Sequence, residues 1–234
     1  MLRCGKHLAL ALALALSLAA PVVAETKSDP WEGYNRTMYD FNKSADRYLI
    51  KPLAQGYQAV TPDLVEQGVH NFFSNLGDIT SLVNSILQLK LDSALQDFAR
   101  ITFNSTFGLA GVIDVSTPMG LPSSGEDFGQ TLGYWGVSSG PYLVLPLFGP
   151  SSVRDAVGRV PDTYTDVWPV EVGHIPTRNS GYGLRLLDTR VSLFSAERLI
   201  SGDEYSFVRD AYLQQRAFMV KDGQMDLKFN QDDF

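Results

Sequence analysis

The sequence predicts a mainly α protein: a single helical domain with an irregular, apolar, Gly/Pro-rich block at its centre. Three observations predict it. Apolar residues recur at spacings of three and four on both sides of the chain's middle, the mark of amphipathic helices. Between Arg100 and Arg154 there is no lysine or arginine, and the only charges are Asp114, Glu126 and Asp127. The same stretch is crowded with glycine and proline, which forbid a long helix there. Irregular apolar backbone needs its N–H and C=O groups satisfied within protein or along a wet cavity.

Taken in order, Arg3, Lys6 and His7 precede an unbroken apolar run, Leu8 to Ala20, and small residues lead to Ala24. This is the pattern of a signal peptide over residues 1–24. Its removal takes Arg3 and Lys6 away and moves the formal charge from −7 to −9. The remaining chain of about 210 residues suffices for one core. An acidic balance excludes a nucleic-acid binder, which needs a basic footprint. Cys4, the one cysteine, lies before the apolar run, so the exported protein is expected to lack thiol chemistry, and the sequence does not support a lipid anchor.

Asp29-Pro30-Trp31-Glu32 reads as a helix start with a capping box. Trp31, Tyr34, Met38, Phe41, Ala45 and Tyr48 follow as one stripe, and Lys51-Pro52 ends or kinks that helix. Thr61-Pro62-Asp63 starts a second helix carrying Leu64, Val65, Val69, Phe72, Phe73 and Leu76. Gly77-Asp78 is expected to punctuate before a third with Ile79, Leu82, Val83, Ile86 and Leu87. Asp92-Ser93 opens the next, with Leu95, Phe98, Ala99 and Thr102 as its expected buried stripe. Residues 109–150 form the irregular block, within which Tyr142 to Phe148 is strand-like. Ser151-Ser152 caps a short helix. Helical pattern resumes after about residue 180 with Leu184, Leu187, Val191 and Phe194. Tyr205, Val208, Tyr212 and Met219 follow Asp203, and residues 223–234 form a frayed acidic tail.

Gly136-Val137-Ser138-Ser139-Gly140 matches the G-x-S-x-G pattern of a nucleophile elbow, with Asp162 or Asp166 and then His174 in the right chain order. That chemistry needs a helix directly after the serine, and here Pro141 and an extended run follow. A periplasmic lipid-acting serine hydrolase using Ser138 is therefore the alternative reading, not the first. A passive porin-associated structural protein is another. No metal or cofactor is expected, because His70 and His174 stand alone, and no phosphate loop is present. The sequons at Asn35 and Asn104 fall in or at the end of helices and read as structural.

Three stretches together resemble the VacJ/MlaA family. They are Ser28-Asp29-Pro30-Trp31-Glu32-Gly33-Tyr34-Asn35-Arg36-Thr37-Met38-Tyr39-Asp40-Phe41-Asn42; Arg100 with Asn104 through Val115; and Glu126 through Gly133 with Gly140-Pro141-Tyr142, Leu145-Pro146, Gly149-Pro150 and Arg154-Asp155. The resemblance runs from about residue 28 to about 222. It implies a ring-like helical domain over residues 25–222, seated in the inner leaflet of the outer membrane around an amphipathic channel. It implies a non-enzymatic part in retrograde phospholipid transport that maintains outer-membrane lipid asymmetry. The implied partners are phospholipid, a trimeric outer-membrane porin and a periplasmic lipid carrier. The residues assigned to channel or gate are Tyr39, Asp40, Phe41, Tyr134, Trp135, Tyr142, Leu143, Leu145, Leu147 and Phe148.

Overall fold

A computed structural model describes residues 29–223; the expected signal peptide and all but the first residue of the acidic tail lie outside them. Helix α1 (Glu32–Ala45) runs through a π-helical segment (Asp46–Ile50) directly into α2 (Lys51–Val60). Pro52 has no N–H to donate, and the Lys51 N–H reaches back five residues to the Asp46 carbonyl. The proline is thus absorbed by widening the helix rather than ending it. The expected capping box does not form. Asp29 accepts from the Trp31 N–H and Glu32 pairs with Arg36, so the helix starts two residues later than the motif suggested.

Helix α3 (Asp63–Leu87) is the longest, and α4 (Leu91–Thr106) packs along it. Gly77-Asp78 does not interrupt α3. A 3₁₀ turn (Thr117–Met119) and α5 (Phe128–Tyr134) lie within the block expected to be irregular. A hairpin follows, β1 (Tyr142–Leu145) antiparallel to β2 (Gly149–Ser152), in the register Tyr142↔Ser152 to Leu145↔Gly149. Ser152 caps α6 (Val153–Thr165) through the Asp155 N–H, and that helix is longer than expected. Then come α7 (Val167–Glu171), α8 (Ile175–Ser192), α9 (Phe194–Glu197) and α10 (Glu204–Val220). Helix α8 begins earlier than the sequence indicated because His174 caps it by accepting from the Thr177 N–H.

Contacts between elements close on themselves. They run from α1 to β1, α6, α3, α8 and α2, and return through the π segment to α1. This is the ring-like single domain. Gly158 of α6 sits against Gly129 of α5, where a Cβ would come within 2.5 Å of the Gly129 nitrogen, so the two helices touch backbone to backbone.

The amphipathicity is turned inside out. Buried hydrophobic side chains are few (Ala54, Phe73, Ala94, Tyr142, Val144, Val191, Tyr205), and polar or charged ones outnumber them. On α4 the expected buried stripe is the outer face: Leu95 is 67% and Phe98 59% exposed, while Asp97 is 0% and Arg100 3%. On α1, Trp31, Tyr34 and Phe41, and Tyr48 of the π segment, are likewise exposed, and Asn35 is the buried residue. Leu64 and Val65 of α3 also face outward. The periodicity is helical, as expected, but its apolar side looks away from the protein. Exposed apolar surface on this scale marks an interaction with lipid or partner.

Polar side chains supply the internal order instead. Arg100 donates from Nε to Asp78 (2.9 Å) and from Nη1 to Thr117 (3.0 Å), while Ser123 donates to the other Asp78 oxygen (2.6 Å). Asn104 Oδ1 accepts from the Val115 and Ser116 N–H groups, which straps the loop after α4 onto that helix. Arg216 of α10 binds both Asp127 and Asp155. Burial alone would push the Asp155 carboxyl up. Hydrogen bonds from Arg216 and Tyr212, with the charges of Arg216 and Arg154, outweigh it and hold the group at about 2.

Candidate functional site

A cavity of about 1120 Å³ opens between α3, α6, α8 and the hairpin tip. Helix α3 lends it His70, Phe73, Ser74, Asp78 and Ser81. Helix α6 lends Arg159, Val160, Asp162 and Thr163, and α8 lends Tyr182, Arg185, Asp188 and Thr189. Gly77 also lies in the wall, and a Cβ there would enter open space, so the glycine widens the cavity rather than breaking the helix. The lining is amphipathic. Carboxylates, hydroxyls and guanidinium groups stand beside Phe73, Leu145, Pro146, Phe148 and Val160.

Several wall charges are already held. Asp78 is bound to Arg100, Arg185 donates to Asp166 (2.8 Å), and Asp188 lies 3.0 Å from the His70 ring. Asp162 accepts the Phe128 N–H on both oxygens and the Asn84 amide on one. Burial raises its carboxyl pKa, and those bonds offset only part of the rise.

The hairpin tip is positioned by α1. Asn35 Nδ2 donates to the Tyr142 carbonyl (3.0 Å) and its Oδ1 accepts from the Val144 N–H (2.8 Å). Two turns on, Asn42 repeats the pattern with the Leu145 carbonyl (2.9 Å) and the Leu147 N–H (2.7 Å). The two amides satisfy the free edge of β1 as a neighbouring strand would. This places Leu147 at φ 64°, a left-handed conformation that costs a non-glycine residue roughly 1–2 kcal/mol.

Of the residues assigned from sequence, Leu145 and Phe148 line this cavity. Leu147 is exposed at the hairpin tip, and Leu143 is half-buried in β1. Tyr142 belongs to the packed core with Val144 and Tyr205, because strand alternation turns it inward toward α10. Tyr39 and Asp40 border a separate groove with Lys43, Gly202 and Glu204, and Phe41 is exposed. Tyr134 and Trp135 end α5 on the outer surface, where Trp135 Nε1 donates to the Leu87 carbonyl (3.3 Å). The sequence reading missed the walls from α3, α6 and α8. A signal for the first was present: Ser74, Asp78, Ser81, Ser85 and Gln88 form a polar stripe at helical spacing within an otherwise apolar segment.

The elbow pattern builds no catalytic triad. Ser138 is exposed in a loop and shares no hydrogen bond with His174, Asp162 or Asp166 among the described residues. His174 is engaged with Thr177 (2.8 Å), and both aspartates hold backbone N–H groups. Asn35 and Asn104, each in a sequon, are buried and hydrogen-bonded.

An amphipathic cavity within a helical ring of inverted polarity is a specific arrangement, and comparison with known proteins decides its lineage. The sequence profile described as MlaA lipoprotein matches residues 27–219. The chain belongs to the MlaA lipoprotein family. Family relatives include the intermembrane phospholipid transport system lipoprotein MlaA of Escherichia coli, 34% identical over 210 residues, covering 85% of this chain and 81% of that protein. The Haemophilus influenzae protein of the same description is 34% identical over 206 residues, covering 85% and 82%. A solved structure, described as the structural basis for maintenance of bacterial outer membrane lipid asymmetry, superposes with a TM-score of 0.71 at 33% identity. It spans 83% of this chain and 100% of that one.

Proposed function

We propose that this MlaA-family chain takes mislocalised phospholipid from the outer leaflet of the outer membrane and passes it through the cavity to the periplasmic side, maintaining lipid asymmetry. The observation that carries this reading is the inversion of polarity. A phospholipid has a charged head and apolar tails, and desolvating the head without partners costs several kcal/mol. The cavity offers the head carboxylates, hydroxyls and guanidinium groups, with Phe73, Leu145, Phe148 and Val160 beside them for the tails. The naming of the Escherichia coli and Haemophilus influenzae relatives as parts of an intermembrane phospholipid transport system supports the same reading.

The exposed faces of α1, α3 and α4 suit a seat in the periplasm-facing leaflet of the outer membrane. None of the described helices is long and apolar enough to cross a membrane, which fits a body embedded in one leaflet. Export would rest on residues 1–24 as a signal peptide. A trimeric porin is the proposed partner for apolar surface left facing sideways, and a periplasmic lipid carrier receives the product and sets direction. The gate is the hairpin tip, Pro146-Leu147-Phe148, held by Asn42 of α1.

Cells lacking the protein should display phospholipid on their surface, and the wild-type gene should reverse this. Leu145→Lys places a charge in the apolar part of the wall and should fail to restore asymmetry while the protein accumulates normally. Full restoration by that variant would remove Leu145 from the lipid path.

A further inference from the structure

Of the basic side chains lining the cavity, Arg185 is committed to Asp166, and His70 faces Asp188. Arg159 is not committed. Among the described residues it makes no ion pair and no side-chain hydrogen bond, and its guanidinium rests over the Phe148 ring, 5.7 Å from the centroid. Three residues on, Asp162 shares the same face of α6 and the same cavity. It accepts only neutral donors and has no cation within ion-pair distance among the described residues. Of the other acidic wall residues, Asp78, Glu126, Asp127 and Asp166 each hold a lysine or arginine, and Asp188 has the His70 ring. A free guanidinium and a carboxylate with no cation partner therefore stand one helical turn apart on one face of α6.

Resting on the transport reading above, we infer that Arg159 and Asp162 form the headgroup site, Arg159 taking the phosphate diester and Asp162 the ammonium of a zwitterionic aminophospholipid. A guanidinium donates several N–H groups in a fixed plane and suits a phosphodiester. A carboxylate holding three hydrogen bonds retains acceptor capacity for an ammonium. An anionic headgroup such as phosphoglycerol would satisfy Arg159 but leave Asp162 facing a hydroxyl, in a cavity whose remaining charges favour a cation. Phosphate binding would also draw Arg159 from Phe148, so occupancy of the site bears directly on the hairpin tip.

The test uses the full-length protein, incubated with vesicles containing equal amounts of phosphatidylethanolamine and phosphatidylglycerol. Retained lipid is extracted and quantified by class. Wild type should retain phosphatidylethanolamine in several-fold excess. Arg159→Gln, at an accessible position with no polar partner to orphan, should lower total retention about tenfold with an unchanged thermal midpoint. Asp162→Asn, checked by the same midpoint, should abolish the preference between classes while phosphatidylglycerol retention persists. Wild type retaining no phospholipid would overturn the transport reading together with this one. Wild type retaining phospholipid that Arg159→Gln leaves undiminished would overturn the headgroup site alone. Displacement of the lipid by millimolar inorganic phosphate in wild type but not in Arg159→Gln would assign the site to free phosphate, and that too would overturn it.

Discussion

Replacing Leu95 and Phe98 of α4 together by glutamine separates an inverted protein from an ordinary one. Fully burying such a side chain is worth about 1.5–3 kcal/mol. In a soluble helical domain, losing two apolar residues from a buried stripe would therefore cost several kcal/mol of stability. Here both are more than half exposed, and glutamine matches leucine in helix propensity. The thermal midpoint in detergent should move by no more than the roughly 0.5 kcal/mol typical of surface changes. The loss should appear in membrane affinity. With 67% and 59% of each residue still to be covered by lipid, about 1–2 kcal/mol per side chain is at stake. Partition onto phospholipid vesicles, followed by co-sedimentation, should weaken roughly thirtyfold to several hundredfold, since 1.4 kcal/mol is a factor of ten. Unchanged partition with stability lowered by several kcal/mol would mean this face packs against protein, and the inversion would be refuted.

Other outcomes follow from the buried polar framework. Asn35→Ala orphans the Tyr142 carbonyl and the Val144 N–H, and should cost about 2–6 kcal/mol in denaturant unfolding, at about 1–3 per lost partner. Arg100→Met leaves Asp78 buried without its cation and should cost about 3–5 kcal/mol. Asp155, held at about 2 against an ordinary value of 3.8, contributes stability that is fully present above its unfolded pKa and is lost as pH falls through about 2. A shift of that size is worth roughly 2 kcal/mol, and Asp155→Asn should flatten the unfolding free energy over that acid range. Leu147→Gly should leave stability level or slightly raised, because the left-handed conformation suits glycine; a loss beyond about 1 kcal/mol would show that the leucine side chain anchors the tip.

The element pattern was legible in the sequence because periodicity is local. Pro62-Asp63 began α3 as expected, Ser152 capped α6, and Tyr142 to Leu145 formed the strand. Which side of each helix faces inward was not legible from the usual rule that apolar residues are buried. That rule assumes water outside, and the exposed Leu95, Phe98 and Leu64 depart from it. The polar stripes, Ser74 to Gln88 on α3 and Asp97, Arg100 and Asn104 on α4, carried the missing information. The punctuation at Gly77 failed because glycine in a helix can serve the cavity beside it. The Asn35 and Asn42 clamp was hidden because its partners lie over a hundred residues away.

The cavity site was half visible. The hairpin residues Leu145 and Phe148 stood out by composition, whereas Arg159, Asp162, Arg185 and Asp188 look like ordinary surface charges until α6 and α8 are brought together. Tyr142 and Trp135 drew attention as aromatics in an apolar run, yet one is core and the other outer surface.

The central claim is that phospholipid occupies the interior of this ring. A photo-crosslinking amino acid at Thr163, which lines the cavity from α6, would test it in living cells. The account predicts an adduct on that residue with the mass of a whole phospholipid, lost when Leu145→Lys is introduced. Adducts only to protein or water, with phospholipid captured solely by the same probe at the outer residue Leu95, would contradict it.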